Sequence, residues 1–401
     1  MESRCTPWSA SPVRLSGEHR ANPVVAANAG DTVAAAWESS DGGGIQVRVR
    51  HIDDEHDTWG PTVDLGGRGG RAPSIAVAPD GAVWVAWSEA TRDGPNVQVA
   101  HSASTGWIVD AGFSTSNDLA DDPLIATDGA GHPMIVVRNR QSTDRATIAT
   151  RDLDHPGSAA VSLTTDTADV AMPRLSIAPD GTAVAVWRLQ GTHPQIMAAI
   201  RPPAGRWGQA TPVASAAAAD VAAAAQSGGV ATVIWAARDG ETSTLVARDF
   251  DGTRWGAPAT LDRSSTSTGG DRGDRWIDVG FLPAGLAVMW AAPTSAGTAL
   301  RATTRRRPGI WSTPTLVAGP SPSIRTPSLA VRAGADPTAA WEEIDHNLLR
   351  VRIASIGAAT TCRDISPSDT EAAQVRIAGA GAATAVYTDR RRDQIMAVDL
   401  R

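Results

Sequence analysis

The stretch APDGAVWVAW at residues 78–87 decides the fold, because nearly the same phrase returns as APDGTAVAVW at residues 178–187. In both, apolar side chains alternate on either side of an Asp-Gly pair. Alternation at period two marks a strand that buries one face, and Asp-Gly supplies the positive φ angles that a tight hairpin turn demands. Each phrase therefore predicts a β-hairpin. The aromatic that closes the phrase serves as a ruler for the whole chain. It falls at Trp37, Trp87, Val137 as a substitute, Trp187, Trp235, Trp290, Trp341 and Tyr387, at spacings of 46 to 55 residues. Counting from Tyr387 through the C-terminus to Trp37 gives the same interval, so the period closes on itself.

Fourteen residues before the ruler positions stand Pro23, Pro73, Pro123, Pro173, Val221, Trp276, Pro327 and Ala373. Proline suits the first residue of a strand, since it has no N–H to give to a ladder. A third alternating run follows each hairpin, as in IQVRVR (45–50), VQVAHS (97–102), QIMAAI (195–200), TLVARDF (244–250) and LLRVRI (348–353). A fourth opens on Trp59, Trp107, Trp207, Trp255 or Trp311. Four strands per unit is the content of a propeller blade. The last unit stops at QIMAVDLR, a third strand, while WSASPVRLS (8–16) reads as a fourth strand with no blade before it. Pairing the termini in one blade closes the ring and removes the exposed sheet edges. The expectation is an all-β, eight-bladed β-propeller of four-stranded antiparallel blades. It occupies one domain over 1–401, with the last blade formed by 373–401 plus 7–16. An open solenoid would need capping units and would not explain complementary termini. The Ala-rich run at 213–225 has helix propensity, but the register assigns it to an inter-blade loop and an innermost strand.

Composition narrows the chemistry. All 36 basic residues are arginine, which removes amine nucleophiles and Schiff bases and leaves planar, bidentate guanidinium groups as the cations. The net charge of -7 argues against a broad nucleic-acid-binding face. Two cysteines, Cys5 and Cys362, exclude a disulfide scaffold and a CxxC zinc site, and leave open whether the two pair. No run is long and apolar enough for a membrane span, and MESRCTPWSASPVRL lacks the pattern of a signal peptide. A cytoplasmic protein, or a secreted one whose leader has been removed, both fit. The reading expects no cofactor, no metal, no nucleic acid, no membrane insertion and a monomer.

The phrases APDGTAVAVW and APDGAVWVAW, with the later RWGAP and GIWSTP elements, resemble the roughly 50-residue Trp-containing propeller repeats common in actinobacterial proteins. An Arg-only, Ala-rich composition accords with a GC-rich genome of that kind. The resemblance implies the fold and no single activity. Better-defined families leave partial traces. ARDFDGTRW (247–255) is similar to the tryptophan-docking element of quinoprotein dehydrogenases but lacks its Thr-Gly pair. The same segment misses the sialidase Asp-box, because Phe250 takes the Asp position. Fucose-binding propeller lectins line inter-blade pockets with aromatic, Arg and Glu side chains. Here the tryptophans recur at one register, as residues that seal neighbouring blades do.

A site is sought where the copies differ. Before the Pro marks lie Arg20, Asn22, Arg71, Asp121, Asp122, Asp220, Asp274, Arg275, Arg325 and Glu371, and after the rulers lie Glu38, Glu89, Arg138, Arg140, Arg188, Glu342, Glu343 and Asp389. Propeller geometry brings both groups to one face, around the channel mouth. The longest connection, RSSTSTGGDRGDRW (263–276), reaches the same face with Asp274, Arg275 and Trp276, and blade three lacks both characteristic tryptophans beside ADDP (120–123). HIDDEHD (51–57) reads as a solvated acidic turn, and GGRGGR (66–71) has no helix after it to make a phosphate loop.

Two functions follow. One is a non-catalytic binding propeller that takes a glycan or a protein surface through Arg20, Arg71, Arg138, Arg275, Trp276 and Arg325. The other is an enzyme of hydrolase or lyase type acting on a polar or anionic small molecule or glycan. In it Asp121, Asp122, Asp274 or Glu371 serves as acid or base, with Arg20, Arg71, Arg275 and Arg325 as anion holders. A catalytic centre requires a carboxylate of shifted pKa facing an open pocket, whereas a lectin shows similar shallow pockets in several blades.

Overall fold

In the computed structural model the chain forms eight successive antiparallel sheets, and no helix occurs among the described residues. The structure describes all residues except 1–4, 18–19, 31, 40–43, 52–57, 67–68, 93, 111–112, 114–118, 143–144, 155–157, 165–168, 240–241, 266–276, 283–284, 322, 333–334, 358–361, 380–382 and 401. Blade two shows the unit plainly, with Arg71–Val77, Val83–Thr91, Gly94–Ala103 and Gly106–Asp110 side by side in chain order. Innermost strands of successive blades touch round the ring, and Arg20–Ala27 of blade one meets Ala372–Gly379 of blade eight. The expected eight-bladed propeller is the fold. The Ala-rich run divides as its register requires, into Thr211–Ala214 and Ala218–Gln226.

The hairpin of the decisive phrase is a type I turn followed by a glycine bulge. Gly81 N donates to Ala78 O at 2.9 Å, and Ala78 N donates to Ala82 O at 2.8 Å. Gly81 carries a φ of 89°, a left-handed angle that a Cβ disfavours. Asp80 does not share it; its Oδ1 accepts Ala82 N at 3.0 Å, so the pair divides its labour. The fourth strands are shorter than their alternating sequences implied. In blade one Trp59 makes an isolated bridge to Arg50, and the strand proper is Val63–Asp64.

The proline marks differ from expectation in position. They lie inside the innermost strands at a recurrent β-bulge, after a residue of positive φ: Asn22, Ala72, Asp122, Met172 and Thr326 before the five prolines, and Gln374 before Val375. In each of these blades the ladder register shifts across that point. A bulge leaves one residue out of the ladder, so proline's missing N–H costs nothing there.

Hydrophobic burial is distributed over eight seams. Trp87 of blade two packs against Ala34, Ala36, Ile45 and Val47 of blade one, and Trp187 of blade four against Val136, Ile148 and Leu163 of blade three. Tyr387 fills the same place between blades seven and eight. Between blades two and three, where Val137 replaces the indole, Phe113 joins the cluster. Repetition at one register thus reflects packing. Polar clasps tie some seams further out. Arg50 reaches Asp399 at 2.5 Å beneath Trp59, Arg201 reaches Asp152 at 3.4 Å, and Arg305 pairs with Asp249 beneath Trp311.

The ring closes as the terminal runs require. Val13–Arg14 adds antiparallel to Gln394–Leu400, with Val13 opposite Ala397 and Leu15 sunk into the seam with Trp37. Before it, Thr6–Pro7 runs parallel to Cys362–Asp364 of blade seven, and Cys5 is disulfide-bonded to Cys362 with Cα atoms 4.7 Å apart. Residues 5–16 therefore span two blades.

Replacing a seam indole leaves a cavity that two blades must share. Trp187→Ala is expected to lower unfolding stability in urea by about 3–5 kcal/mol, while the exposed Ile310 tolerates Ala within about 0.5 kcal/mol. Equal small effects would contradict the seam account. Cys5→Ser is expected to cost about 2–4 kcal/mol against the oxidised wild type, because the bond restricts the unfolded chain. An unchanged midpoint under non-reducing conditions would contradict that.

Candidate functional site

At the end of the ring where first strands begin and second strands finish, the charged side chains gather as the repeat pattern implies. Several of them serve the ring. Glu38 Oε1 accepts Ala72 N at 2.8 Å, Glu342 Oε1 accepts Val375 N at 3.3 Å, and Gln374 Oε1 accepts Asn22 N at 3.0 Å. In each case the acceptor belongs to the preceding blade and the donor lies at the next blade's bulge. Asp220, fully buried, accepts Ile277 N of blade six at 3.0 Å and holds Arg174 of blade four at 2.9 Å. At Ala72, Val375 and Asn22 the acceptors satisfy N–H groups that the bulge takes out of the ladder, and at Ile277 Asp220 satisfies the N–H that opens the strand.

Of the residues singled out from sequence, Asp121, Asp122 and Arg138 meet in blade three. Arg138 forks onto Asp121 at 2.7 and 3.0 Å and reaches Asp122 at 3.2 Å, and Arg140 adds a contact to Asp121 at 3.0 Å. Desolvation raises the Asp122 carboxyl above its ordinary value despite the pull of Arg138. Arg20 Nε donates to Gln46 Oε1 at 3.1 Å, the same oxygen that accepts Trp37 Nε1, so Arg20 buttresses a seam indole. Arg71 is exposed at the start of blade two. Arg325 and Glu371 stand at the starts of blades seven and eight, where Glu371 O accepts Arg390 N. Asp274, Arg275 and Trp276 lie outside the described residues, as does HIDDEHD beyond His51. No cluster of potential metal ligands occurs among the described residues.

At the opposite end, where the inner hairpins turn, a cavity of about 870 Å³ is lined by all eight blades. Asn28, Val77, Asp128, Ile177, Gln226, Phe281, Arg332 and Gly379 represent blades one to eight in order. A cavity to which every innermost hairpin contributes lies on the ring axis, so this is a mouth of the central channel. Its walls combine apolar side chains, among them the partly exposed Phe281, with a few separated polar groups. A smaller cavity of about 350 Å³ lies at the ring closure beside Trp8 and Arg350, whose guanidinium is bonded to Pro367 O and Ser368 O.

The turn sequences explain the polar groups. Asn28 and Asp128 occupy the position of Ala78 in the APDG turn, since the N–H of each pairs across the turn as Ala78 N does. Asn28 Oδ1 accepts Thr32 N, and its amide donates to Ala78 O of blade two at 3.1 Å. Asp128 Oδ1 accepts Ala130 N and His132 N at 2.9 Å each, and its Oδ2 lies 3.0 Å from His132 Nδ1. Asp128 is the sole carboxylate among the described lining residues, and its own turn occupies it. The described lining residues therefore offer recognition groups and no pair of acids.

The hairpin face escaped the sequence reading because that reading followed formal charge, which concentrates at the other end. A usable signal existed: the turns APDG, ANAG, TDGAG, QSGG and RAGAD vary in type from blade to blade. ARDFDGTRW, the segment with two partial family likenesses, is a structural turn. Asp251 Oδ1 accepts Thr253 Oγ1, Thr253 N and Arg254 N, which holds its carboxyl down to about 2.

The hydrogen bond to Asp128 holds the exposed His132 imidazole above its ordinary value of 6.5. Because the folded value is the raised one, this support for the turn is complete below about pH 6.5 and is lost as pH rises through the folded value. A nuclear magnetic resonance titration is expected to place the His132 midpoint above that of a free imidazole, and Asp128→Asn to return it. An unshifted wild-type midpoint would contradict the contact.

No protein family and no curated protein matches the chain in sequence. Solved structures do match in shape. One of two prolyl endopeptidases studied for inter-domain dynamics aligns with 93% of this chain at 14% identity and a TM-score of 0.53; the chain spans 54% of that protein. A polysaccharide lyase, an ulvanlyase bound to a GlcA(1-4)Rha3S unit, aligns over 88% of this chain and 97% of its own, at 10% identity and a TM-score of 0.48. A lectin of Aleuria aurantia with alpha-methyl-L-fucoside aligns over 77% of this chain and 98% of its own, at 17% identity and a TM-score of 0.39. At such identities the likeness speaks for the fold alone.

Proposed function

We propose that this protein is a non-catalytic binding propeller that takes part of a carbohydrate chain into the channel mouth on the hairpin face. The observation that carries the reading is the axial cavity, whose 870 Å³ falls in the size range of small-ligand sites. Its concavity favours a narrow chain over a flat protein surface. Phe281 offers an apolar platform for the C–H face of a sugar ring, and Gln226, Ser227 and the turn backbones offer polar partners for hydroxyl groups. One chain suffices, since its own eight blades complete the wall.

A second reading, a glycan- or small-molecule-converting enzyme on the opposite face, draws on the raised Asp122 carboxyl beside Arg138. The carboxylates around it have structural tasks, and Asp122 does not line the axial cavity. Binding at the hairpin face is the better-supported function.

Glycan-array screening of the full chain is expected to return binding to a defined set of oligosaccharides without conversion to products. Ser227→Trp, which fills the mouth from an exposed turn, is expected to weaken that binding by at least about tenfold, whereas Arg138→Gln leaves it unchanged. The reverse pattern, or product formation abolished by Asp122→Asn, would replace the reading with the enzyme. Silence across the array would overturn its carbohydrate element.

A further inference from the structure

Arg332 is the sole cation among the described residues lining the axial cavity. Its Nε is buried without a hydrogen-bond partner, and no described carboxylate pairs with its guanidinium. The other described arginines with a buried unbonded nitrogen are held through another: Arg50, Arg305 and Arg352 by acids, namely Asp399, Asp249, and Glu343 with Asp345, and Arg188 by the carbonyls of Ala218 and Ala219. A buried donor left unsatisfied is costly, and a binding site is where such a group is kept for an acceptor that arrives with the ligand.

The surroundings hold the guanidinium ready. Gly379 of blade eight makes room for its stem, because an added Cβ there would lie 2.9 Å from Arg332 Cγ and 2.9 Å from Val331 O. Phe281 stands on the neighbouring blade six, so a cation and an aromatic share one wall. The one carboxylate among the described lining residues, Asp128, is in blade three, four blades away and so half the ring from Arg332. It is bonded to His132 and to its own turn. Among the described lining residues, no carboxylate on the near wall competes for the fork.

Resting on the binding reading above, we infer that the hairpin-face cavity selects an acidic saccharide, with Arg332 holding the carboxylate or sulfate of one residue while Phe281 supports the adjoining ring. A planar guanidinium offers two parallel N–H groups to such an anion, which an ammonium cannot match.

The test is calorimetric titration of the full chain with three probes of equal length: an α-1,4-linked galacturonate tetrasaccharide, the same tetrasaccharide with its carboxyls reduced to alcohols, and a sulfated derivative of the reduced form. Wild type is expected to bind at least one acidic probe about 10- to 100-fold more tightly than the reduced one. Preference for one acid identifies the source of the anion. Arg332→Gln is expected to abolish the preference, and Arg332→Lys to restore part of it. Thermal unfolding of each variant separates lost recognition from lost fold, and the comparison of probes on wild type stands even if a variant fails to fold. Equal binding of all three probes, abolished by Ser227→Trp, would overturn the acidic preference and leave the cavity reading intact. A preference that survives Arg332→Gln would overturn the role of Arg332. Absence of binding by every probe would overturn the inference.

Discussion

Each extensive hydrophobic cluster in this protein is shared between two blades. The ruler aromatics Trp37, Trp87, Trp187, Trp235, Trp290, Trp341 and Tyr387 are buried at 4% exposure or less, each against the blade before its own. No blade can bury its own apolar faces, so the stability of each depends on both neighbours and the ring must close. That requirement accounts for the chain's two ends. Val13–Arg14 completes blade eight, Thr6–Pro7 and the Cys5–Cys362 bond fasten the same segment to blade seven, and Leu15 plugs the seam against Trp37.

Sharing also shapes the polar groups. A four-stranded wedge leaves N–H groups outside the ladder at the start of most innermost strands, and several find acceptors on the blade before. Glu38, Glu342 and Asp220 are therefore charged for architectural reasons. Further out, the Arg50, Arg201 and Arg305 clasps bridge neighbouring third strands. The hairpin face has different obligations. Its turns largely satisfy their own backbones, as Asp80 and Asp128 do, which leaves the interior of the ring mouth open to side chains such as Arg332 and Phe281.

The fold was legible in the sequence because a propeller writes its geometry as a period. Strand alternation, the Asp-Gly turns, the ruler aromatics and a fourth strand stranded at the N-terminus all agree, and local and global signals that agree specify one structure. What stayed hidden depends on partners distant in sequence. Proline at a bulge and proline at a strand start look alike until the neighbouring blade's acceptor is in place. The pairing of Cys5 with Cys362 needed the closed ring to bring the two together. The site was less legible still. Charge patterning led to the face where Asp121, Asp122 and Arg138 sit, but charge does not distinguish a latch from a ligand contact. The open face is marked by turns whose residues are mostly uncharged, and Arg332, the sole cation among its described cavity-lining residues, is a single letter in RAGAD.

The hairpin-face mouth is the proposed place of ligand binding. Hydrogen exchange measured by mass spectrometry, with and without a bound oligosaccharide, tests this directly. The predicted result is slowed amide exchange in the turns around residues 27–30, 127–132 and 225–228, with residues 20–22, 71–73 and 120–123 unchanged. Protection confined to the latter segments would contradict it.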